Sequence, residues 1–122
     1  MNVVDSSAWI SFFRGERHAE SFTKPIVDLN HLLVPSITFH EVYRFMTRNL
    51  DPTSALKAVA QMSLGEVVPL DDSLAIEAAA CSLEYKLPLA DSIIYATAQR
   101  YGAVIWTQDA DFEGLKNVRF YG

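Results

Sequence analysis

The sequence predicts an α/β fold, a three-layer α/β/α sandwich around a mostly parallel sheet of about five short strands. Short apolar runs bounded by turn residues, such as Ala103 to Trp106, are typical of strands that are buried on both faces. Longer segments with apolar residues at helical spacing separate these runs. Because strands and helices alternate along the chain, we expect the strands to run parallel and the helices to cover the sheet.

Length and composition indicate one folded domain that spans residues 1–122. Half of the residues are hydrophobic and 20% are charged, which excludes extended disorder. No apolar run approaches the roughly 20 residues that a transmembrane helix requires, and the first residues lack the pattern of a signal peptide. Cys81 is the only cysteine, which fits a reducing compartment. We therefore expect a cytoplasmic protein with no membrane partner.

Charge and histidine usage argue against two classes of function. The net charge of −5 is the wrong sign for a protein that coats nucleic acid through bulk positive charge. The three histidines are scattered and only one cysteine is present, so the spacing of a structural zinc site is absent. An anionic substrate would therefore need a bound cation to approach this chain.

The first half of the chain predicts two strands and several helices. Ser6 or Ser7 is expected to cap the first helix and Gly15 to close it, and Pro25 is expected to end the second. Asp51 and Pro52 have the pattern of a cap and a first helical residue. The predicted segments are strands at residues 1–4 and 31–34, helices at 6–14, 16–23, 36–49 and 53–62, and a turn at 26–29.

The second half predicts two more helices and three strands. Asp71 and Asp72 are expected to begin a long helix that Pro88 stops, and the pair Asp91 and Ser92 is expected to cap the next one. Gly102 fits the left-handed position that follows a helix end. The predicted segments are strands at residues 65–70, 103–106 and 118–120, helices at 71–86 and 91–101, and a turn at 112–115.

Acidic side chains recur where these elements begin or end. Asp5 follows the first strand, Glu41 lies about one turn into the helix after the second, Asp91 opens a helix, and Asp109 and Asp111 follow the fourth strand. The carboxyl ends of parallel strands meet at one edge of a sheet, where open α/β folds bind ligands. Each acid taken alone is explained as a helix cap, a turn former or a solvated residue. Together they favour a hard-cation site, since crowded carboxylates repel one another.

Magnesium fits this set best, with manganese as a substitute, because carboxylate and water ligands suit hard cations. Such an ion activates water and neutralises charge on a phosphoryl oxygen. Ser6 and Thr107 flank Asp5 and Asp109, so their hydroxyls are candidates to hydrogen-bond the ligand carboxylates. Capping and strand-end pairing explain these two hydroxyls equally well.

Four motifs carry a resemblance to a known family. They are Asp5 to Ser7, Pro35 to Val42, Leu87 to Ala96, and Trp106 to Phe112, in this order along the chain. Together they resemble PIN-domain ribonucleases, and most of all toxins of the VapC type. The resemblance extends over essentially the whole chain, and it is the order of the four motifs that makes it specific.

The resemblance implies a PIN-like fold and a magnesium-dependent endoribonuclease, the toxin of a toxin–antitoxin pair. It assigns Asp5, Glu41, Asp91 and Asp109 as the catalytic, metal-binding quartet and Asp111 as an auxiliary acid. It also implies that the protein hydrolyses RNA phosphodiester bonds, that a cognate antitoxin protein binds it, and that it is a homodimer.

Basic and aromatic residues give two further expectations. Arg14, Arg44 and Lys86 are candidates for RNA-phosphate contacts, with Arg48 and Arg100 as further ones, although ordinary solvated residues explain each equally well. Aromatic residues are dense at residues 9–13 and 39–45, more than a small core needs. We therefore expect an apolar patch there that forms a twofold dimer interface.

Two alternatives stay open at this point. A receiver-type signalling domain also gathers acids at the ends of a parallel sheet, and Asp71 or Asp72 imitates its acceptor, but no lysine follows Val118 to Phe120. The second alternative is a non-catalytic interaction module that keeps the fold and only binds a partner.

Overall fold

A computed structural model of the chain describes residues 1–122 as five strands and six α-helices. No helix combines the length and the apolar content that crossing a bilayer requires. The strands are β1 Asn2–Val4, β2 Leu32–Pro35, β3 Glu66–Val68, β4 Val104–Thr107 and β5 Val118–Phe120. The helices are α1 Ser6–Arg14, α2 Ala19–Val27, α3 Ser36–Asn49, α4 Pro52–Met62, α5 Asp72–Tyr85 and α6 Leu89–Arg100, with 3-10 turns at Leu29–His31 and Ala110–Phe112.

The five strands form one sheet in the order β3-β2-β1-β4-β5, and all four pairings are parallel. β1 lies at the centre, with Val3 opposite Leu33 of β2 and Ile105 of β4. The predicted fold class is confirmed. All carboxyl ends therefore lie at one edge of the sheet.

Two apolar cores lie on the two faces of the sheet. Side chains alternate along a strand, so Val3 and Ile105 join the core beneath α5 and α6, whereas Val4 and Trp106 join the core beneath α1 to α4. Strands covered on both faces read as continuous apolar runs, and this is why their positions could be predicted.

The first helix is capped by Asp5 and not by Ser6 or Ser7, so that prediction was wrong. Asp5 has an extended backbone, and its carboxylate accepts a hydrogen bond from the backbone N–H of Ala8 at 3.1 Å. The helix thus begins directly where β1 ends, with no residue between strand end and cap. The two serines are left free for side-chain contacts.

The sequence predicted that the second helix ends at Pro25, but the helix continues to Val27. Pro25 lacks the backbone N–H that would bond to the carbonyl one turn earlier, so the helix continues without this hydrogen bond. Phe22, Pro25 and Ile26 are all buried on one face of this helix. Their packing stabilises the last turn. The second strand is also displaced by one residue, because His31 belongs to a 3-10 turn.

The sixth helix begins at Leu89, two residues before the predicted cap pair Asp91 and Ser92, so that prediction was wrong too. Pro88 is the cap residue, and its carbonyl accepts the first helical hydrogen bond from the N–H of Ser92 at 2.9 Å. Asp91 is therefore the third helical residue, inside the first turn, and it is free to face a ligand.

Gly65 allows the chain to pass close to β2 before β3. A Cβ atom added at Gly65 would lie 2.8 Å from Val34 Cγ2 and 3.1 Å from Leu32 Cδ2, both buried side chains. Only a residue without a side chain fits this approach. The close packing of β3 against β2 depends on it.

We predict that Gly65→Ala lowers the free energy of unfolding by about 1–3 kcal/mol, as overpacking of a filled core does. Chemical denaturation of both proteins measures this value. The control adds Gly65→Ala to a Val34→Ala protein, in which the smaller neighbour makes room. In that background Gly65→Ala should cost less stability than it does in the wild type. Full stability of Gly65→Ala would contradict the close approach.

Candidate functional site

A cleft of about 980 Å³ opens at the carboxyl edge of the sheet. Its walls are the beginning of α1, one face of α3 and the first turn of α6, and Asp109 lies beyond the end of β4. Four of the acids that the sequence selected line this cleft: Asp5, Glu41, Asp91 and Asp109.

Asp5 lies at the bottom of the cleft and is only 2% exposed. Its backbone N–H donates to the carbonyl of Trp106 at 3.1 Å, which ties the end of β1 to β4. Its carboxylate accepts hydrogen bonds from Ala8 N and from Ser7 Oγ, the latter at 2.8 Å. Asp5 is thus both the cap of α1 and a cleft acid, so its capping role does not remove it from the cleft.

Burial raises the pKa of Asp5 to about 7. Hydrogen bonds from Ser7, Ala8 and Thr107 favour the charged form and oppose this shift, while the neighbouring charge of Asp109 adds to it. At neutral pH this carboxyl group is therefore close to the midpoint of its titration, and a nearby cation would shift it toward the charged form.

Asp91 is 8% exposed, and its pKa is raised to about 8. Burial is the largest cause, followed by the charge of Asp109 and by hydrogen bonding with Asp109 and Asp111 that favours the protonated form. The charge of Asp5 contributes as well. The raised pKa values of Asp5 and Asp91 therefore have the same two causes, desolvation and like charge.

Asp109 and Asp111 complete the tightest group of acids. Carboxylate oxygens of Asp91, Asp109 and Asp111 all lie within 4.8 Å of one another. Thr107 Oγ1 accepts from the N–H of Asp109 at 2.9 Å, and Asp109 Oδ1 accepts from the N–H of Asp111 at 2.9 Å. The 3-10 turn folds Asp111 back toward Asp91, so this auxiliary acid lies closer to the centre than its sequence position indicated.

Glu41 lies on the opposite wall of the cleft, in the middle of α3. Its Oε1 accepts a hydrogen bond from Ser6 Oγ at 2.5 Å, which joins α3 to the beginning of α1. It lines the same cleft as Asp5, Asp91 and Asp109 but is not part of the tight three-carboxylate group. Ser6 therefore orients Glu41, and Thr107 holds the backbone of Asp109.

Ser7 makes a contact in the site that the sequence alone did not indicate. Its Oγ donates to the Asp5 carboxylate and accepts from the N–H of Gln108 at 3.3 Å, so it links the ends of β1 and β4. The repeated serine after Asp5 was the available signal. The interpretation of Ser6 and Ser7 as alternative helix caps does not include this contact.

The basic residues selected from the sequence lie in different places. Arg44 and Arg48 line the cleft, whereas Arg14, Lys86 and Arg100 do not. The guanidinium of Arg14 lies 5.4 Å from the ring centroid of Phe45. Lys86 has a left-handed backbone at the end of α5. Arg100 pairs with Glu77 at the far end of α6.

The donor set fits a hard divalent cation. It consists of carboxylates alone, with no sulfur or imidazole among the three grouped acids. Magnesium and manganese favour such oxygen donors, and a positive ion offsets the repulsion and desolvation that raise the pKa values of Asp5 and Asp91.

The sequence pattern of the PIN domain matches residues 3–118. The chain belongs to the PIN-domain family. This membership covers every element from β1 to the beginning of β5, and it makes the receiver-type alternative wrong. A comparison with curated protein sequences found no match.

Solved structures resemble this PIN domain over nearly its whole length. A toxin–antitoxin complex from Klebsiella pneumoniae is 25% identical with a TM-score of 0.80, covering 98% of this chain and 96% of that chain. A sarcin-ricin loop cleaving toxin of the VapC type from Mycobacterium tuberculosis is 16% identical with a TM-score of 0.81, covering 97% of each chain. A DNA-bound VapBC complex from Salmonella typhimurium is 21% identical with a TM-score of 0.75, covering 98% and 96%.

The raised pKa values predict how stability without metal depends on pH. The folded PIN domain retains protons on Asp5 and Asp91 that the unfolded chain releases near its ordinary pKa of about 4. The contribution of these two groups to the free energy of unfolding should therefore be most favourable below about pH 4. It should fall as the pH rises to about 8 and stay constant above that value. Melting curves in chelator across this range measure the fall.

Asp109→Asn tests the cause of that fall. The amide keeps the acceptor oxygen that caps the 3-10 turn but removes the charge beside Asp5 and Asp91, so we expect the fall with pH to become smaller. Magnesium should raise the melting temperature of the wild type more than that of Asp109→Asn. Asp28→Asn, an exposed change outside the cleft, is the control. Equal magnesium shifts in all three proteins would refute the cation site.

Proposed function

We propose that residues 1–122 form a single-domain, magnesium-dependent endoribonuclease, the cytoplasmic toxin of a toxin–antitoxin pair. The observation that supports this most strongly is the group Asp91, Asp109 and Asp111, with carboxylate oxygens within 4.8 Å of one another, beside the buried Asp5. In a PIN domain, such a group at the carboxyl edge of the sheet is suited to hold a hard cation against a phosphodiester.

The proposed ligands are Asp5, Asp91, Asp109 and Glu41, with Asp111 as an auxiliary acid. A bound magnesium ion supplies Lewis-acid chemistry, because it makes water more acidic and neutralises charge on a phosphoryl oxygen. Manganese is a substitute with the same donor preference. The chain itself supplies the arrangement of the acids.

Hydroxyl side chains of the protein position the proposed ligands. Ser7 and Thr107 hold Asp5 and Asp109 at the ends of neighbouring strands, and Ser6 fixes Glu41 on the other wall of the cleft. The burial of Asp5 and Asp91 reduces the screening of their own charges by bulk water. A substrate phosphate entering between the two walls is thus met by oriented groups whose positions need no rearrangement.

A cognate antitoxin is the proposed protein partner. The solved structures of similar fold include a toxin–antitoxin complex from Klebsiella pneumoniae and a DNA-bound VapBC complex from Salmonella typhimurium. The carboxylates of an open acidic cleft attract an arginine side chain, which binds carboxylates in a bidentate manner. We propose that a segment of the antitoxin places such a side chain in the cleft and excludes the substrate.

We predict that Asp91→Asn reduces RNA cleavage about a thousandfold or more, because losing a ligand carboxylate removes several kcal/mol of charge stabilisation. The assay incubates purified protein with mixed cellular RNA, with magnesium and with chelator, and maps the ends of the products. Asp28→Asn is the matched control, since it makes the same change on an exposed residue outside the cleft. Folded Asp91→Asn protein that retains full activity would refute the assignment.

A homodimer remains part of the proposal, and the segment of dense aromatic residues is one candidate for its interface. Trp9 is fully buried, and Phe12, Phe13, Phe39 and Phe45 pack against the core beneath α1 to α4. The four phenylalanines are only partly exposed. The prominent exposed apolar residues lie elsewhere.

The outer face of α5 is the better candidate. Ile76 is 72% exposed and Leu83 is 85% exposed, and these residues lie two turns apart on the same side of the helix. Ala79 and Ala80 lie between them, and small residues permit a close approach of two helices. Leu89, at the rim of the cleft, continues this surface through a shared apolar groove.

A second copy of the chain fits this face. A twofold axis between Ala79 and Ala80 places Ile76 of one copy against Leu83 of the other in an antiparallel helix pair. The same symmetry brings the acidic beginning of α5, at Asp72, near Lys86 at its end. The surface is therefore complementary to itself in apolar contact and in charge.

We predict that Leu83→Glu converts a dimer into a monomer, because the symmetric interface would bury two new charges. Light scattering at micromolar concentration, without antitoxin, measures the mass. Leu56→Glu is the control, since Leu56 is 61% exposed on α4, outside the proposed interface. A monomeric wild type, or a Leu83→Glu protein that stays dimeric, would contradict this interface.

A further inference from the structure

One face of α3 lines the cleft along the whole helix, and the charge of this face changes from negative to positive toward the end of the helix. Glu41 lies on this face beside the acids, and Arg44, Arg48 and Asn49 follow toward the end of the helix. These positions recur every three to four residues, which is the spacing of one helical face. The cleft is therefore acidic at one end and basic at the other.

The two arginines of this face have no acidic partner. None of the three ion pairs of the chain includes Arg44 or Arg48, and neither guanidinium hydrogen-bonds another side chain. Both residues are exposed and line the cleft. In contrast, Arg14 and Arg100 contact Glu16 and Glu77. The free guanidinium groups are thus available to a ligand in the cleft.

The spacing of these residues suits a nucleic acid backbone. One turn of α3 separates Arg44 from Arg48, which is about 6 Å along the axis, and Glu41 lies about 4.5 Å before Arg44. Successive phosphates of an extended single strand recur at a comparable distance. A guanidinium is well matched to a phosphate, because it donates two parallel hydrogen bonds to it.

We propose that α3 binds the RNA strand beside the bond that is cut, with Arg44 on the first phosphate beyond the acidic group and Arg48 on the second. This inference rests on the proposed nuclease function and names its substrate more closely, as single-stranded RNA that continues for at least two phosphates on one side. A protein segment that presents an arginine to the acids would need carboxylates as well to pair with these two cations, whereas every nucleotide of RNA carries a phosphate. The polarity of the cleft therefore favours RNA over protein along this face.

The test measures RNA binding as a function of salt. The proteins are Asp91→Asn, which is expected not to cut, and the same protein with Arg44→Gln, with Arg48→Gln and with both. The ligand is a short single-stranded oligoribonucleotide of random sequence. Each lost phosphate contact should reduce the slope of log affinity against log salt by about 0.7, and the double variant by about 1.4. Melting curves verify that all variants are folded.

Arg17→Gln is the matched control, because Arg17 is exposed and lies outside the cleft, and its slope should equal that of the parent. A series of RNA lengths adds a second readout. The parent should gain affinity when the strand becomes long enough to reach both arginines, and the double variant should not.

Several results would overturn the inference. They are an unchanged slope in the double variant, an equal loss in Arg17→Gln, and arginine variants that lose antitoxin binding but keep the RNA slope. The nuclease proposal fails separately. Wild-type protein that binds RNA through both arginines but never cuts it would refute catalysis and support the strand contact. Magnesium-dependent cutting with an unchanged salt slope in the double variant would support catalysis and refute the strand contact.

Discussion

The parallel pairing of β1 with β4 is the interaction on which the rest of the structure depends. Val4 lies opposite Trp106, and the N–H of Asp5 extends this ladder by one more hydrogen bond to the Trp106 carbonyl. The two strands end at the same height, so Asp5 and Asp109 emerge side by side although about a hundred residues separate them. Ser7 joins the two ends a second time through Gln108. The other walls of the cleft are built around this junction.

The site combines a stabilising role with a destabilising one. Asp5 satisfies an otherwise free N–H group at the beginning of α1, and a negative charge is favourable at that end of a helix. Burial and the charge of Asp109 work against the same carboxylate. Because Asp91 is subject to the same two penalties, the metal-free protein carries an electrostatic strain that its apolar cores must offset.

The fold was predictable because strands covered on both faces leave continuous apolar runs. The cleft acids could be selected because Asp5 and Asp109 follow strands and Asp91 lies near the beginning of a helix. The position of Asp111 was not predictable, since a 3-10 turn brings it back to Asp91 and no periodicity signals such a turn. The burial of Trp9 was not predictable either, because sequence spacing does not tell which side of a helix its neighbours cover. Four helices share one face of the sheet, and Trp9 is buried among them.

The long sequence separation within the β1–β4 junction has a consequence for synthesis. About a hundred residues separate β1 from β4, so a ribosome must release all of them before β4 can reach β1. Contacts of this kind form late in folding, because their loop-closure entropy is large. A partly made chain therefore holds Asp5 and Glu41 without Asp109 and Asp111. If the protein cuts RNA, its harmful activity is withheld until β4 and the turn that follows it have left the ribosome.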